Sequence, residues 1–204
     1  MDKLIKAGPG LVIRVAVTPH ELPEVLLPHG AAPSASRGVV MDIETCGLRS
    51  MPIFLAGFLD VAHGRISQLL ACHYAAEPEL LRHVAEIVER ADALVTYNGA
   101  AFDLPFLMDR MRYWRLGELK LPAHADLLGL LRRQVEAWLP NLRLATVEAE
   151  LLGRVRIHDV AGSDIPQIYA RFVEAQDMRV IAPVLAHNLV DMLSCWALAR
   201  LLDV

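Results

Sequence analysis

Four acidic residues in three separate segments of this sequence have the chemistry of a metal site. Two belong to VVMDIETCGL, one follows NGAAF and one ends HNLVD: Asp42, Glu44, Asp103 and Asp191. Carboxylate oxygens are the ligands that hard cations such as Mg²⁺ and Mn²⁺ prefer. Cations of this kind can activate water and stabilise a leaving oxygen, so these residue types are suited to hydrolysis at phosphorus.

Asp42 and Glu44 are two residues apart in a segment that begins with Val39 and Val40 and is typical of a β-strand. Side chains two apart on a strand project from the same face, so two anions would share one patch. That arrangement is costly near the centre of a sheet unless a cation or hydrogen bonds offset the repulsion. By itself, the pattern is equally compatible with a strand that ends in an exposed turn.

Asp103 follows a turn that Asn98 and Gly99 indicate, and it precedes an apolar segment. An aspartate in this position can bind a ligand, or it can accept hydrogen bonds from free backbone N–H groups at a helix N-terminus. Asp126 follows a further possible strand, and we predict that it caps a helix, with a metal-binding role as the alternative.

His187 precedes Asp191 by four residues in an apolar, helix-like segment. This spacing places both side chains on one side of the helix. An imidazole beside a metal-binding carboxylate could take a proton from an attacking water near neutral pH. The alternative is an exposed histidine that is stabilised by the carboxylate one turn away.

The elements that must position these groups follow from apolar periodicity. Three short segments rich in β-forming residues after Gly38 predict a meander, and ALVTYN predicts a fourth strand beyond an amphipathic helix. The strand–helix–strand order is typical of an α/β sheet. We predict a further short strand near Leu121 to Ala125, and helices over Glu77 to Ala91, Phe102 to Trp114, Leu127 to Trp138, Leu142 to Leu152, Ile165 to Ala175 and Pro183 to Leu202.

Residues 1–37 differ from the remainder of the chain. They contain one alternating run, Leu11 to Val17, and then a stretch with several prolines, glycines and serines. We predict an arm or edge strand that is otherwise irregular, followed by one domain over residues 38–204.

Bulk composition excludes some classes of protein. The 204 residues carry a formal net charge of -4, so any nucleic-acid-binding surface must be local. Three cysteines without a CxxC pair favour a reducing cytoplasm, and we expect a cytoplasmic protein without a membrane span. The absence of GxGxxG after a strand and of GxxxxGK[ST] disfavours a dinucleotide-binding dehydrogenase.

Taken together and in this order, VVMDIETCGL, NGAAFD and HNLVD resemble the three motifs of the DEDD exonuclease superfamily, which has a ribonuclease H-like fold. DIPQIYARF followed by HNLVDMLSCWALA is similar to the group that includes YprB-type proteins. The resemblance extends from about Gly38 to Leu202. It departs from the family at one point, because the histidine branch usually places its histidine five residues before the aspartate, whereas His187 is four before Asp191.

This resemblance implies an α/β fold whose central mixed five-stranded sheet, an antiparallel three-strand meander plus parallel strands, is flanked by helices. It implies a 3′-to-5′ exonuclease that cleaves single-stranded DNA or RNA with two Mg²⁺ or Mn²⁺ ions. The four carboxylates would bind the ions, and His187 would lie near the reactive water. Arg110 and Arg112 are interleaved with Tyr113 and Trp114, a mix that can bind phosphates and stack bases, although a solvated helix with Tyr113 or Trp114 in the core fits the same pattern. The residues that we expect to contact substrate are Thr45, Asn98, Phe102, Arg110, Arg112 and Tyr113.

Two other interpretations fit the same motifs. A structure-dependent endonuclease could use the same metal site. A noncatalytic module could retain the fold to bind nucleic acid or an unidentified protein partner.

Overall fold

The computed structural model describes residues 2–7, 12–17, 38–48, 50–135, 137–157 and 159–203, with side chains from residue 38 onward. The strands are β1 (Asp2–Ala7), β2 (Val12–Val17), β3 (Gly38–Thr45), β4 (Ile53–Asp60), β5 (Arg65–Ala71), β6 (Ala93–Thr96) and β7 (Ala123–Asp126). The helices are α1 (Glu77–Arg90), α2 (Asp103–Tyr113), α3 (Leu127–Val135), α4 (Leu144–Leu152), α5 (Ile165–Ala175) and α6 (Met178–Leu201), with a 3₁₀ turn at Tyr74–Ala76.

The strands form one mixed sheet in the order β1-β2-β5-β4-β3-β6-β7. Strands β3, β4 and β5 are an antiparallel meander, and β6 and β7 run parallel to β3. The predicted five-stranded mixed sheet is therefore confirmed.

Two strands from the N-terminal segment extend this sheet at the β5 edge. The alternating run from Leu11 to Val17 contains β2, which pairs with β5, and β1 lies outside β2. We did not predict β1, whose sequence DKLIKA carries the lysines that are typical of edge strands. The stretch predicted to be irregular, residues 18–37, lies outside the described residues.

Alternation along β3 separates its side chains between two buried layers. Met41 and Ile43 belong to the apolar cluster that contains Leu80 and Val84 of α1, whereas Val40 belongs to the cluster that contains Met192 of α6. Asp42 and Glu44 share the face of Val40 by the two-residue period of a strand. The carboxylates therefore face the layer that α6 covers.

Helix α6 begins five residues earlier than the predicted start at Pro183. Asp177 caps the helix, because its side chain accepts a hydrogen bond from the backbone N–H of Arg179 at 2.9 Å. Pro183 lies inside the second turn of the helix, where its missing N–H leaves the carbonyl group of Arg179 without the usual intrahelical donor. With an 18-residue window of mean hydropathy 1.4, α6 is long and apolar enough to cross a membrane, but half of that window is buried inside the protein. Its length and apolar character are those of a core helix.

Candidate functional site

The end of β3 that carries the paired acids extends past its parallel neighbour. Strand β6 pairs with β3 only from Gly38 to Val40, so the backbone beyond that point needs another partner. Asp103, the first residue of α2, supplies it: its Oδ1 atom accepts a hydrogen bond from the backbone N–H of Ile43 at 3.2 Å. Ile43 lies between Asp42 and Glu44, so this contact brings Asp103 to both of them.

The turn before Asp103 has a defined conformation. Asn98 has φ of 63°, in the left-handed region that asparagine tolerates well. A Cβ on Gly99 would lie 2.1 Å from the Thr96 hydroxyl oxygen, so only glycine fits there. Asp126 accepts hydrogen bonds from the backbone N–H groups of Asn98, Ala100 and, in α3, Leu128. The predicted helix-capping role of Asp126 is confirmed, and its other contacts fix the turn that positions Asp103.

Helix α6 contributes three polar side chains to the same place. The Nδ2 atom of Asn188 lies 2.7 Å from Oδ2 of Asp42. The Nε2 atom of His187 lies 3.7 Å from Oδ2 of Asp191 and 4.0 Å from Oε1 of Glu44. The structure thus brings together all five residues that were predicted to be catalytic: Asp42, Glu44, Asp103, His187 and Asp191.

The electrostatics of this cluster are those of anions confined together. Burial, followed by the charges of Asp191, Glu44 and Asp103, raises the pKa of Asp42 well above its usual range. The pKa of Glu44 is raised in the same way, and burial raises the pKa of Asp103 to about 7 and also raises that of Asp191. Neighbouring positive charge would lower these pKa values and favour the ionised carboxylates.

A network that we did not predict from the sequence adjoins the cluster. Arg156 donates hydrogen bonds to Glu148 at 2.5 and 2.6 Å and to Asp159 at 2.9 Å, and its Nη2 atom lies 2.6 Å from Oδ1 of Asp191. The Nδ1 atom of His187 lies 2.7 Å from Oδ1 of Asp159. Hydrogen bonds from His187 and Arg156 outweigh burial and lower the pKa of Asp159. These contacts connect the segment between α4 and α5 to the histidine and to Asp191.

The donor set fits a hard divalent cation by its chemistry. It consists of carboxylate oxygens that lie close enough together to raise the pKa of Asp42 and Glu44. Asp191 Oδ1 is buried and has no aligned hydrogen-bond donor among the described residues, although Arg156 is near it. No three His, Cys, Asp or Glu side chains in the described part of the chain lie in coordination geometry. Oδ1 of Asp191 is paired with Arg156, so a side-chain rotation at this pair must accompany cation binding to that oxygen.

Thr45, Phe102 and Asn98, which we expected to contact substrate, are close to the cluster in the fold. Thr45 and Phe102 line a surface cavity of about 470 Å³ that also includes Glu44 and the highly exposed Leu48. The Thr45 hydroxyl donates to the carbonyl oxygen of Gly47 at 2.7 Å, so it stabilises the turn at the cavity wall. Asn98 belongs to the turn before Asp103.

The placement of Arg110 does not support the predicted contact with substrate. Its guanidinium group is buried and forms two hydrogen bonds with Glu77, at 2.8 and 2.5 Å, and a third with the carbonyl oxygen of Ser50. Trp114 donates to the same carboxylate at 2.7 Å. Glu77 is itself 1% exposed, so the arginine is required to neutralise a buried charge.

Arg112 and Tyr113 are exposed near the C-terminal end of α2, and Arg112 pairs with Asp109 at 2.9 Å. They follow Asp103 by nine and ten residues, which is about 13 to 15 Å along a helix axis. They are therefore outside the carboxylate cluster, on a surface that a bound strand would have to reach.

Four functional candidates were absent from the sequence-based site: Asn188, Glu148, Arg156 and Asp159. Asn188 carried a usable signal, because it lies inside HNLVD, next to His187. Arg156 and Asp159 lie in a segment without periodicity between two helices, and nothing in their local sequence indicates a link to α6.

The chain is similar to known proteins in sequence and in fold. Residues 39–203 match the family described as RNase_H superfamily. The chain is 37% identical over 160 residues to YprB of Bacillus subtilis (strain 168), in a match that covers 75% of this chain and 38% of YprB. The structure of the family B DNA polymerase from the hyperthermophilic archaeon Pyrobaculum calidifontis superimposes with a TM-score of 0.68 at 20% identity, over 84% of this chain and 25% of the polymerase.

The chain belongs to the RNase H superfamily. The predicted ribonuclease H-like fold and the likeness to YprB-type proteins are confirmed, and the polymerase match concerns the fold alone. Membership is compatible with a nuclease, and nucleases with this fold generally use divalent metals. The chain spans well under half the length of YprB.

Proposed function

We propose that residues 38–204 form a divalent-cation-dependent nuclease that removes nucleotides from the 3′ end of single-stranded DNA or RNA. One observation carries the proposal: carboxylates from β3, α2 and α6 lie close enough to raise the pKa of Asp42, and Nε2 of His187 faces two of them. Confining four partly or fully buried acids together is unfavourable unless cations or protons offset their repulsion. The order of the three motifs supports the exonuclease class.

Asp42, Glu44, Asp103 and Asp191 are the groups that would hold Mg²⁺ or Mn²⁺. Two such ions supply Lewis-acid stabilisation of charge on the phosphate and lower the pKa of water. Before cations bind, the four carboxylates would repel a phosphodiester, so we expect turnover to depend strictly on divalent metal.

His187 is the proposed general base. Its Nδ1 atom faces the carboxylate of Asp159, and a carboxylate only accepts hydrogen bonds, so Nδ1 carries the hydrogen in the neutral ring. The Nε2 lone pair is then directed toward Glu44 and Asp191, where it can take a proton from water. The four-residue spacing between His187 and Asp191 is compatible with this role, because both side chains reach the same space.

The cavity beside Glu44 is the proposed site of the terminal nucleotide. Phe102 and Leu48 provide apolar surface on which a base can stack or pack, and Thr45 and Glu44 line the same cavity. A site that accommodates one chain end would restrict cleavage to termini.

The test is turnover of matched 5′-labelled DNA and RNA oligonucleotides with Mg²⁺ or Mn²⁺. A 3′-to-5′ exonuclease produces a ladder of shortened labelled products and leaves circular single strands intact. EDTA and Asp42→Ala are expected to abolish cleavage. Asp109→Ala, at an exposed position on α2, is the matched control and should cleave at the wild-type rate.

Several outcomes would contradict the proposal. Cleavage of the circle would indicate an endonuclease, and cleavage by a folded Asp42→Ala variant would remove the metal-site assignment. Binding of nucleic acid without any turnover in Mg²⁺ or Mn²⁺ would indicate a noncatalytic module.

A further inference from the structure

Three residues that are paired across adjacent strands, beginning with Asp42, form a row on one face of the sheet. Asp42 on β3 is the register partner of Gly57 on β4, which is in turn the partner of Gln68 on β5. Paired residues in adjacent strands share a face, and strands lie about 4.8 Å apart, so the Gln68 backbone is about 10 Å from that of Asp42. Gln68 is too distant to bind a cation that Asp42 holds.

Asn188 of α6 fills the gap above Gly57 and connects the two ends of the row. Its Nδ2 atom donates to Oδ2 of Asp42 at 2.7 Å and to the Asp42 carbonyl oxygen at 3.2 Å. Its Oδ1 atom accepts from Nε2 of Gln68 at 2.8 Å, and that nitrogen also donates to the carbonyl oxygen of Leu185 at 2.8 Å. Asn188 is fully buried and Gln68 is 2% exposed, so water does not compete with these bonds.

Glycine at position 57 is what makes room for the amide. A Cβ at this position would lie 2.2 Å from Oδ1 of Asn188 and 2.7 Å from Cε of Met192. Any other residue must therefore displace Asn188 or shift α6.

The contacts also fix which way the Asn188 amide points. Its oxygen faces a donor from Gln68, and its nitrogen faces two acceptors on Asp42. Turning the amide over would set donor against donor and acceptor against acceptor.

We propose that Gln68 and Asn188 are positioning residues that orient the Asp42 carboxylate, with Oδ2 held by the amide and Oδ1 left for the cation. This inference rests on the proposed metal-dependent function. It predicts that a side chain two strands away from Asp42 controls cation affinity through one intervening amide.

The deciding experiment compares Gln68→Glu and Gln68→Met by calorimetric titration with Mn²⁺ at pH 8, without nucleic acid. An ionised glutamate presents only acceptors to Asn188, so the amide must turn its oxygen toward Asp42; a glutamate that burial keeps protonated donates to Asn188 and leaves the affinity unchanged. The methionine removes the donor without opposing the native orientation. We expect Mn²⁺ affinity to fall about 10-fold or more for Gln68→Glu, and by less for Gln68→Met.

The sign of the Gln68→Glu effect identifies its cause. A new negative charge within about 8 Å of Asp42 attracts a cation, so electrostatics alone would strengthen Mn²⁺ binding. Weaker binding therefore identifies the reversed amide. At saturating Mn²⁺, Gln68→Met should recover most of the wild-type kcat with an unchanged KM for the oligonucleotide, because no reacting group has been removed.

Gly57→Ala tests the same contact from the other side. The matched control is Gly129→Ala in α3, where a Cβ would meet nothing within 4 Å. We expect weaker Mn²⁺ binding for Gly57→Ala and wild-type binding for Gly129→Ala. If Gly57→Ala or Gln68→Glu fails to fold, Gln68→Met decides alone, through its own Mn²⁺ affinity.

The positioning role is overturned if folded Gln68→Met binds Mn²⁺ with wild-type affinity, or if Gln68→Glu binds it more tightly. With an active, Mn²⁺-binding wild type, either result leaves the proposed nuclease function intact. A wild type that neither binds Mn²⁺ nor cleaves contradicts the function and the positioning role together.

Discussion

The Nδ1 atom of His187 lies 2.7 Å from Oδ1 of Asp159, a residue that also accepts a hydrogen bond from Arg156. Asp159 therefore determines which imidazole nitrogen faces the carboxylates. The contact joins α6 to the segment between α4 and α5, so the orientation of the proposed base depends on a part of the chain that contributes no proposed metal ligand.

Asp159→Ala should lower kcat about 10- to 100-fold with little change in KM, because the imidazole loses the partner that orients it. Asp159→Asn should lower kcat less if the amide oxygen still accepts from Nδ1. The measurement is steady-state cleavage at saturating Mg²⁺, with Asp109→Asn on the surface of α2 as control. An unchanged kcat for Asp159→Ala would exclude a role in orienting the base.

The pKa of Asp103, raised by burial to about 7, predicts how the cation-free protein responds to pH. An aspartate in the unfolded chain titrates near 3.9, so between about pH 4 and 7 the folded state binds more protons. Stability from protonated Asp103 is complete below about pH 4 and is lost as pH rises through 7. The raised pKa values of Asp42, Glu44 and Asp191 act in the same direction.

The Tm in EDTA should therefore be higher at pH 5.5 than at pH 8. Mn²⁺ should raise Tm more at pH 8, because protons compete with the cation for the carboxylates. Thermal unfolding of Asp103→Asn provides the comparison and should show a weaker pH dependence. A Tm in EDTA that rises between pH 5.5 and 8 would contradict the raised pKa values.

The ion pair between Arg156 and Glu148 predicts a large effect on stability. Glu148 is 1% exposed, and the substitution Arg156→Met leaves the buried charge of Glu148 without its arginine partner. We expect the free energy of unfolding to fall by about 3 kcal/mol or more, and to recover in part when Glu148→Gln is added.

Denaturant titration measures this difference, with Arg179→Met as the matched control. Arg179 pairs with Asp177 at the surface and is 91% exposed, so its loss should change the free energy of unfolding far less than the loss of Arg156. Equal effects of the two arginine substitutions would show that the buried network does not stabilise the fold.

The sequence permits prediction of the carboxylates because each lies in a recognisable local pattern. It does not indicate the amide chain, since Gln68 and Asn188 are 120 residues apart and meet only where α6 crosses β4. Arg110 shows the opposite case. A basic residue beside aromatic residues suggested a nucleic-acid-binding surface, but the fold pairs Arg110 with Glu77, 33 residues away. In each case a long-range contact, which periodicity does not reveal, determines the role of the side chain.

Tyr113 and Arg110 lie on the same helix and should respond differently to substitution. Tyr113 is 66% exposed, and stacking of a base on such a ring contributes about 1 to 3 kcal/mol. Tyr113→Ala should raise KM about 5-fold or more for long single strands. It should leave the KM of a dinucleotide unchanged, because the ring is outside the carboxylate cluster.

Arg110→Met should instead destabilise the protein by leaving Glu77 buried without its partner, while the folded fraction keeps the wild-type KM. Two measurements on each variant distinguish these effects: KM for both substrate lengths, and the free energy of unfolding. A raised KM for Arg110→Met at unchanged stability would restore this arginine to the substrate-binding surface. An unchanged KM for Tyr113→Ala on long strands would remove the C-terminal end of α2 from that surface.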